Sequence, residues 1–163
     1  GCISKEDAIS HGMSGSNGRA SQWANDLRKN YPYAAYDKVD WNQVVLDNCD
    51  AQDRYYLRIK EIEQSIRIIE QLIDNIPEGE YYIKQKPIIK VPEGQWYFAC
   101  EGTSGEFGVY LDYRGDKSPY RMQLRPMALT LVGALDDMLR GTKVADLIAV
   151  GAGLDYIIPD IDR

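Results

Sequence analysis

Along the middle of the chain the apolar residues recur at steps of four and three. Tyr55, Ile59, Ile62, Ile66, Ile69, Ile73 and Ile76 fall on one continuous stripe of an α-helix. Asp50 is placed to cap its start, with Asp53 near the positive end of the dipole, and Pro77 with Gly79 to end it. At 1.5 Å per residue the helix spans roughly 35 Å, the width of a small domain. A stripe of Ile and Tyr predicts core packing rather than a cofactor contact. Glu63 and Arg67 stand at i, i+4 on the polar side, a pair that adds about 0.3–0.5 kcal/mol.

After Pro92 the period changes from 3.6 to 2. Residues 95–100, 106–113 and 120–124 are short aromatic or β-branched runs. Gly102-Thr103-Ser104-Gly105 and Arg114-Gly115-Asp116 separate them, which predicts a three-stranded antiparallel meander. From Pro126 the helical period returns, with a helix over 128–140 closed by Gly141 and another over 144–150. Gly151 and Gly153 then release the chain into a tail, 154–163, that Pro159 keeps extended or irregular. At the other end, Ser4 and Asp7 form a capping-box pattern for a short helix over 6–11. Gly12, Gly15 and Gly18 interrupt it, and a second helix over 19–29 stops before Pro32. Helices, a small sheet and helices again predict an α+β fold without βαβ units. The expectation is one domain over 1–163: a helical part (1–78), a β-meander (79–125), then helices and a tail (126–163). There is no internal repeat.

Composition narrows the class. With 163 residues, 44% apolar and 27% charged, disorder and collagen are excluded. No window approaches the ~18 apolar residues of a spanning helix. A net charge of −6 has the wrong sign for gripping phosphates, so no nucleic-acid partner is expected. Arg114, Lys117, Arg121 and Arg125, near Tyr113 and Tyr120, read as the solvated face of a hairpin. Cys2, Cys49 and Cys100 are odd in number and widely spaced, which suits a reducing compartment better than a disulfide framework or a zinc site. Gly1 in place of an initiator Met, before a polar stretch, leads us to expect a piece of a longer polypeptide without a secretion signal.

The inventory for catalysis is thin. His11 is the only histidine and has no partner at metal-ligand spacing. No P-loop occurs, and Gly12-Met13-Ser14-Gly15-Ser16 lacks the strand that a nucleophile elbow requires. Gly151-Ala152-Gly153 follows a helix and reads as a C-cap, not a phosphate cradle. On chemistry alone the chain would serve as a binding or scaffold module.

A resemblance adds to this reading. Gly15 with Arg19-Ala20-Ser21, Asp26-Leu27-Arg28-Lys29, Tyr31-Pro32-Tyr33-Ala34-Ala35-Tyr36-Asp37, Asp53-Arg54-Tyr55 and Ser65-Ile66-Arg67-Ile68-Ile69-Glu70-Gln71 follow one another in order. Gly105-Glu106-Phe107-Gly108-Val109-Tyr110-Leu111, Pro119-Tyr120-Arg121, Leu139-Arg140-Gly141, Ala145-Asp146-Leu147-Ile148-Ala149 and Asp160-Ile161-Asp162-Arg163 continue the series. Together they resemble the C-terminal half of the D (49-kDa) subunit of proton-pumping NADH:quinone oxidoreductase, complex I, over nearly the whole chain. That family is related to the large subunits of nickel-iron hydrogenases, which end in Asp-Pro-Cys-x-x-Cys-x-x-His. Here Ile157 and Asp160 occupy the thiolate positions, and an isoleucine with one carboxylate cannot hold nickel.

The resemblance implies that the tail borders the quinone chamber, with Asp155, Ile157 and Arg163 as candidate quinone-binding residues. Ile157 would meet the ring, while Asp155 and Arg163 would pair and tune proton supply. It implies no metal and no catalytic residue here, no cofactor bound by this portion, quinone as substrate of the whole enzyme, and flavin and iron–sulfur clusters in other subunits. The implied partners within complex I are the B, C and I subunits and the membrane-embedded H subunit, on the cytoplasmic side of a bacterial inner membrane. The rival readings are the large subunit of an energy-converting hydrogenase-like complex and a non-redox assembly module. Departures exist: Ser16, Asn17 and Gly18 replace the family's Pro and Leu after Gly15, Gln22 stands where Gly is usual, and a helical insertion between Gln85 and Pro92 is missing. The family's quinone-holding His and Tyr lie in the N-terminal half. Apolar faces that partners cover are expected to be exposed, above all around Trp23, Tyr31, Tyr33, Tyr36 and Trp41, with weak self-association.

Overall fold

The computed structural model describes residues 1–85 and 91–162, and its described residues form eight helices and one three-stranded antiparallel sheet, an α+β fold. Helix α1 (Lys5–His11) opens as its sequence dictates: the Ser4 hydroxyl accepts from the Asp7 amide at 3.1 Å and donates to the Asp7 carboxylate at 2.7 Å. Gly12, at φ 69°, closes it. The next glycines do not break the chain as expected. Gly15 and Gly18 lie inside a buried short helix, α2 (Gly15–Arg19), because only hydrogen atoms fit there. A Cβ on Gly15 would stand 2.3 Å from the Cα of Gly105.

The single helix expected over 19–29 is replaced by a turn and a second short helix, α3 (Leu27–Asn30). Gln22 turns to φ 63°, and Asp26 takes an extended conformation to cap the Arg28 amide. Side-chain capping thus outcompetes helix propagation at Asp26.

The long helix α4 (Ala51–Ile73) starts where predicted, with Asp50 accepting from the Asp53 amide at 2.8 Å. It ends at Ile73, short of Ile76. Its apolar stripe is not core: Tyr55, Ile59, Ile62, Ile66, Ile69, Ile73 and Ile76 are between 42% and 72% exposed. The buried positions are Asp53, Arg54, Leu57 and Ile68. This face is held largely by polar bonds to the segment before the helix. Asp53 takes the Asn48 amide, Gln64 the Asn42 amide and Gln71 the Asp40 amide. Arg67 pairs with Asp40 rather than with Glu63. Trp41 is buried while Tyr31 is exposed, so the expected aromatic outer face dissolves into separate roles.

Strands β1 (Gly94–Gly102), β2 (Gly105–Tyr113) and β3 (Arg121–Arg125) form the expected meander in the order β1-β2-β3. Of the basic residues assigned to a solvated face, Arg125 is engaged instead. It donates to the carbonyl oxygens of Glu106 (2.6 Å) and Gly12 (3.3 Å). Arg114 lies over the Tyr120 ring.

Past the sheet, the helix expected over 128–140 is interrupted at buried Ala134, giving α5 (Met127–Gly133) and α6 (Leu135–Leu139). Helix α7 (Asp146–Leu154) runs through Gly151 and Gly153, which do not form the expected cap. They instead let α7 lie on α4: a Cβ on Gly153 would meet Arg54 Nε at 3.5 Å. The cap is Asp155, at φ 57°. The tail is not extended either, because Pro159 sits in the first turn of α8 (Ile158–Ile161), where a missing N–H costs nothing. The Asp160 carboxylate takes the Ala128 amide at 2.7 Å and ties α8 to the start of α5. The apolar core gathers Ile3, Ala8, Met13, Leu131, Ala134, Met138, Val150 and Leu154 from α1, the loop behind it and α5 to α7.

Candidate functional site

Five charged side chains from four elements meet beside α4. Arg19, at the end of α2, is 1% exposed. Its guanidinium reaches Glu61 of α4 at 2.6 Å, Glu101 of β1 at 2.6 Å and Asp26 at 3.4 Å, and donates to the Asn25 carbonyl at 3.0 Å. Asp26, fully buried, receives Arg28 through both Nε (2.9 Å) and Nη2 (2.6 Å), the fork geometry that suits guanidinium to carboxylate. Glu101 also accepts the Leu27 amide, and its own amide donates to the Tyr33 hydroxyl. Arg28 lies 4.6 Å from the Trp41 ring centre. The cluster therefore bolts α2, α3, α4 and β1 together.

Each titration follows from burial set against partners. Burial disfavours the Arg19 cation, yet Glu101, Glu61 and Asp26 more than offset it and hold its pKa above the ordinary value. Burial would also raise Asp26, but the Arg28 hydrogen bonds and the Arg19 charge win and hold its carboxyl below the usual range. For Glu101 burial prevails over Arg19, and its pKa stands above that of an ordinary glutamate. Arg58, next on α4, is lowered by burial despite Asp155 and Glu61. Its Nε and Nη2 are buried and unpartnered.

An open cavity of about 400 Å³ lies on this cluster, lined by Arg19, Arg28, Arg58, Glu61, Glu101 and Asp155. Asp155 reaches its rim because the tip of the β1–β2 hairpin holds it there, Ser104 Oγ donating to its carbonyl at 2.9 Å. Asp155 itself is exposed. Ile157 is 57% exposed but outside the cavity lining, and Arg163 lies outside the described residues. Of the three candidate residues, one is thus brought to a cavity. His11 pairs at 2.9 Å with Asp137 on the surface, far from this site. Among the described residues no group of His, Cys, Asp and Glu could hold a metal, and no helix is long and apolar enough to cross a membrane. The functional candidates that sequence reasoning passed over are Arg58, Glu61 and Glu101. Glu61 and Glu101 meet an arginine 42 and 82 residues away, which leaves no local signature.

Comparison with known proteins agrees over the full length. The family model of the respiratory-chain NADH dehydrogenase 49-kDa subunit matches residues 1–90 and 84–163. The C/D subunit of NADH-quinone oxidoreductase from Bacteroides thetaiotaomicron is 58% identical over 163 residues, covering 100% of this chain and 31% of that protein. The D subunit of the Carboxydothermus hydrogenoformans enzyme is 41% identical over 160 residues, 98% of this chain and 44% of that one. Among solved structures, a chain of the membrane-bound sulfane sulfur reductase, an archaeal respiratory membrane complex, superposes with a TM-score of 0.93 at 38% identity. The match covers 100% of this chain and 46% of that chain. The chain thus spans less than half the length of the relatives it matches.

Proposed function

The chain belongs to the family of the 49-kDa subunit of respiratory-chain NADH dehydrogenase, and from that premise we propose that it builds one wall of the chamber where NADH–quinone oxidoreductase reduces its quinone. In this reading the whole complex moves electrons from NADH through flavin and iron–sulfur clusters of other subunits to quinone, and pumps protons. The present portion carries no electron carrier. It works against the B, C and I subunits and the membrane-embedded H subunit, as a peripheral part of the complex on the cytoplasmic side of the inner membrane.

The observation that carries the reading is Asp155 on the rim of a cavity that also exposes Arg58. A quinone takes up two electrons and two protons. A carboxylate can hold a proton near the ring, and a guanidinium offsets the negative charge that builds on it. Exposed Ile157, two residues on, offers the apolar contact. Arg163 is the third residue assigned to the border in this reading.

The sulfane sulfur reductase at 38% identity favours a second reading, the equivalent subunit of a related hydrogenase-like membrane complex. The greater identity to quinone enzymes supports the first. So does Asp160, which stands at a hydrogenase thiolate position but is already bonded to the Ala128 amide.

The test is Asp155→Asn in the intact complex in native membranes. Asn tolerates the left-handed backbone of Asp155, so the change removes charge and keeps the cap. Quinone reduction or inhibitor sensitivity is expected to change, with the amount of assembled complex and electron transfer from NADH to an artificial acceptor unaltered. Wild-type quinone kinetics and inhibitor response would make the tail structural.

A further inference from the structure

Helix α4 presents two faces of opposite character, and the apolar one is left bare. Tyr55, Ile62, Ile69 and Ile76 alternate with Ile59, Ile66 and Ile73 at a strict 3.5-residue repeat, which is the seam of a helix that winds against another helix. β-branched isoleucine fills every seam position after Tyr55. Within the helix, from Tyr55 to Ile73, the seam runs about 27 Å at 1.5 Å per residue. On its solvent flank, one position past each Ile62-type residue, stand the exposed acids Glu63 and Glu70. On the other flank Ser65 and Arg58 border the cavity described above, together with Ile62 of the seam itself.

We propose that this stripe seats an amphipathic helix from the remainder of the same D-subunit polypeptide, one that carries Lys or Arg beside its apolar seam to meet Glu63 and Glu70. Three observations converge on that occupant. The relatives extend beyond this match for more than half of their length, so the polypeptide supplies ample chain to cover the face. The acidic flank selects a basic one. A second copy meeting α4 antiparallel would set Glu63 and Glu70 against the same acids, which repel. Seated there, the helix also roofs the cavity mouth at Ile62 and Ser65, taking water away from Arg58, whose Nε and Nη2 have no partner among the described residues. The proposal rests on family membership alone and not on the quinone reading, because its test follows side-chain accessibility and never electron transfer.

The experiment uses the complete D-subunit polypeptide, purified without the other subunits and with its own cysteines replaced by serine. Single cysteines are introduced as Ile66→Cys on the stripe or Lys60→Cys on the exposed polar side, and alkylation by a maleimide is timed against the urea-unfolded protein. Ile66→Cys is expected to react at least about tenfold more slowly than Lys60→Cys, independent of protein concentration. Equal rates would overturn the proposal. So would protection that vanishes on dilution, which assigns the face to a second copy, or protection that arises only in the assembled complex, which assigns it to another subunit. If Ile66→Cys does not fold, Ile73→Cys at the end of the helix carries the same comparison.

Discussion

At the scale of single residues the chain concentrates its electrostatic risk in one place. Arg19 sits among Glu61, Glu101 and Asp26 with almost no access to water, so Arg19→Ala leaves three carboxylates facing one another. Removing one partner of a buried cluster costs about 3–5 kcal/mol, and urea denaturation of the chain is expected to show a loss of that order. The two acids beneath it respond oppositely to pH. Asp26 has a depressed pKa, so its stabilisation is present above the ordinary aspartate value, about 4, and is lost as pH falls through its lower folded value. Glu101 has a raised pKa: its contribution is present below the ordinary glutamate value and is lost as pH rises through its folded value. Melting temperatures followed across that window should therefore show Glu101→Gln gaining on the wild type as pH rises, and Asp26→Asn falling behind it above about pH 4. A Glu101→Gln advantage that shrinks with rising pH would reverse the assignment. Little of this is legible in the sequence. Arg19, Asp26 and Arg28 stand out within the resemblance, but Glu61 and Glu101 reach them only through tertiary folding.

At the scale of elements, local signals read well and burial reads badly. The Ser4 and Asp50 caps, the three strands and the long helix all stand where spacing and turn residues place them, because capping and pleat geometry are decided within a few residues. The stripe on α4 reads as this chain's core and is not, because a hydrophobic period reports that a face becomes covered, not what covers it. Neighbouring isoleucines separate the two faces. Ile68 is buried, so Ile68→Ala in the isolated chain should cost about 2–4 kcal/mol, whereas exposed Ile69→Ala should cost under about 0.5 kcal/mol. In the complete polypeptide the two costs should converge. Glycines mislead for a related reason, since Gly15 and Gly153 serve close approach inside helices rather than breaks. Gly15→Ala, with φ at +72° and Gly105 in the way, should lose more than about 1 kcal/mol in the same denaturation assay. The tail shows the opposite error, as Pro159 starts a short helix in a segment where it was expected to forbid one.

At the scale of the whole molecule, the bare seam of α4 makes the isolated chain adhesive while its charge keeps copies apart. Tyr55, Ile59, Ile62, Ile66, Ile69 and Ile73 lie in one row and are at least 42% exposed, a contiguous patch of the kind that marks an interface. Against association stands a net charge of −6, reinforced at the patch itself by Glu63 and Glu70. The two effects scale differently with salt: apolar burial is insensitive to modest ionic strength, while repulsion between exposed charges fades beyond a Debye length of about 8 Å at 0.15 M. The isolated chain is therefore expected to self-associate weakly, and more strongly as salt is raised from about 0.01 to 0.15 M. Light scattering over a concentration series at each salt level measures this directly. Ile62→Asp combined with Ile69→Asp should restore a monomer at both salt levels without loss of fold, because neither side chain is buried in this chain. Association that weakens with salt would mean that ion pairs, not the isoleucine seam, hold the copies together. A wild-type monomer at every concentration would mean that the seam folds against something within the 163 residues.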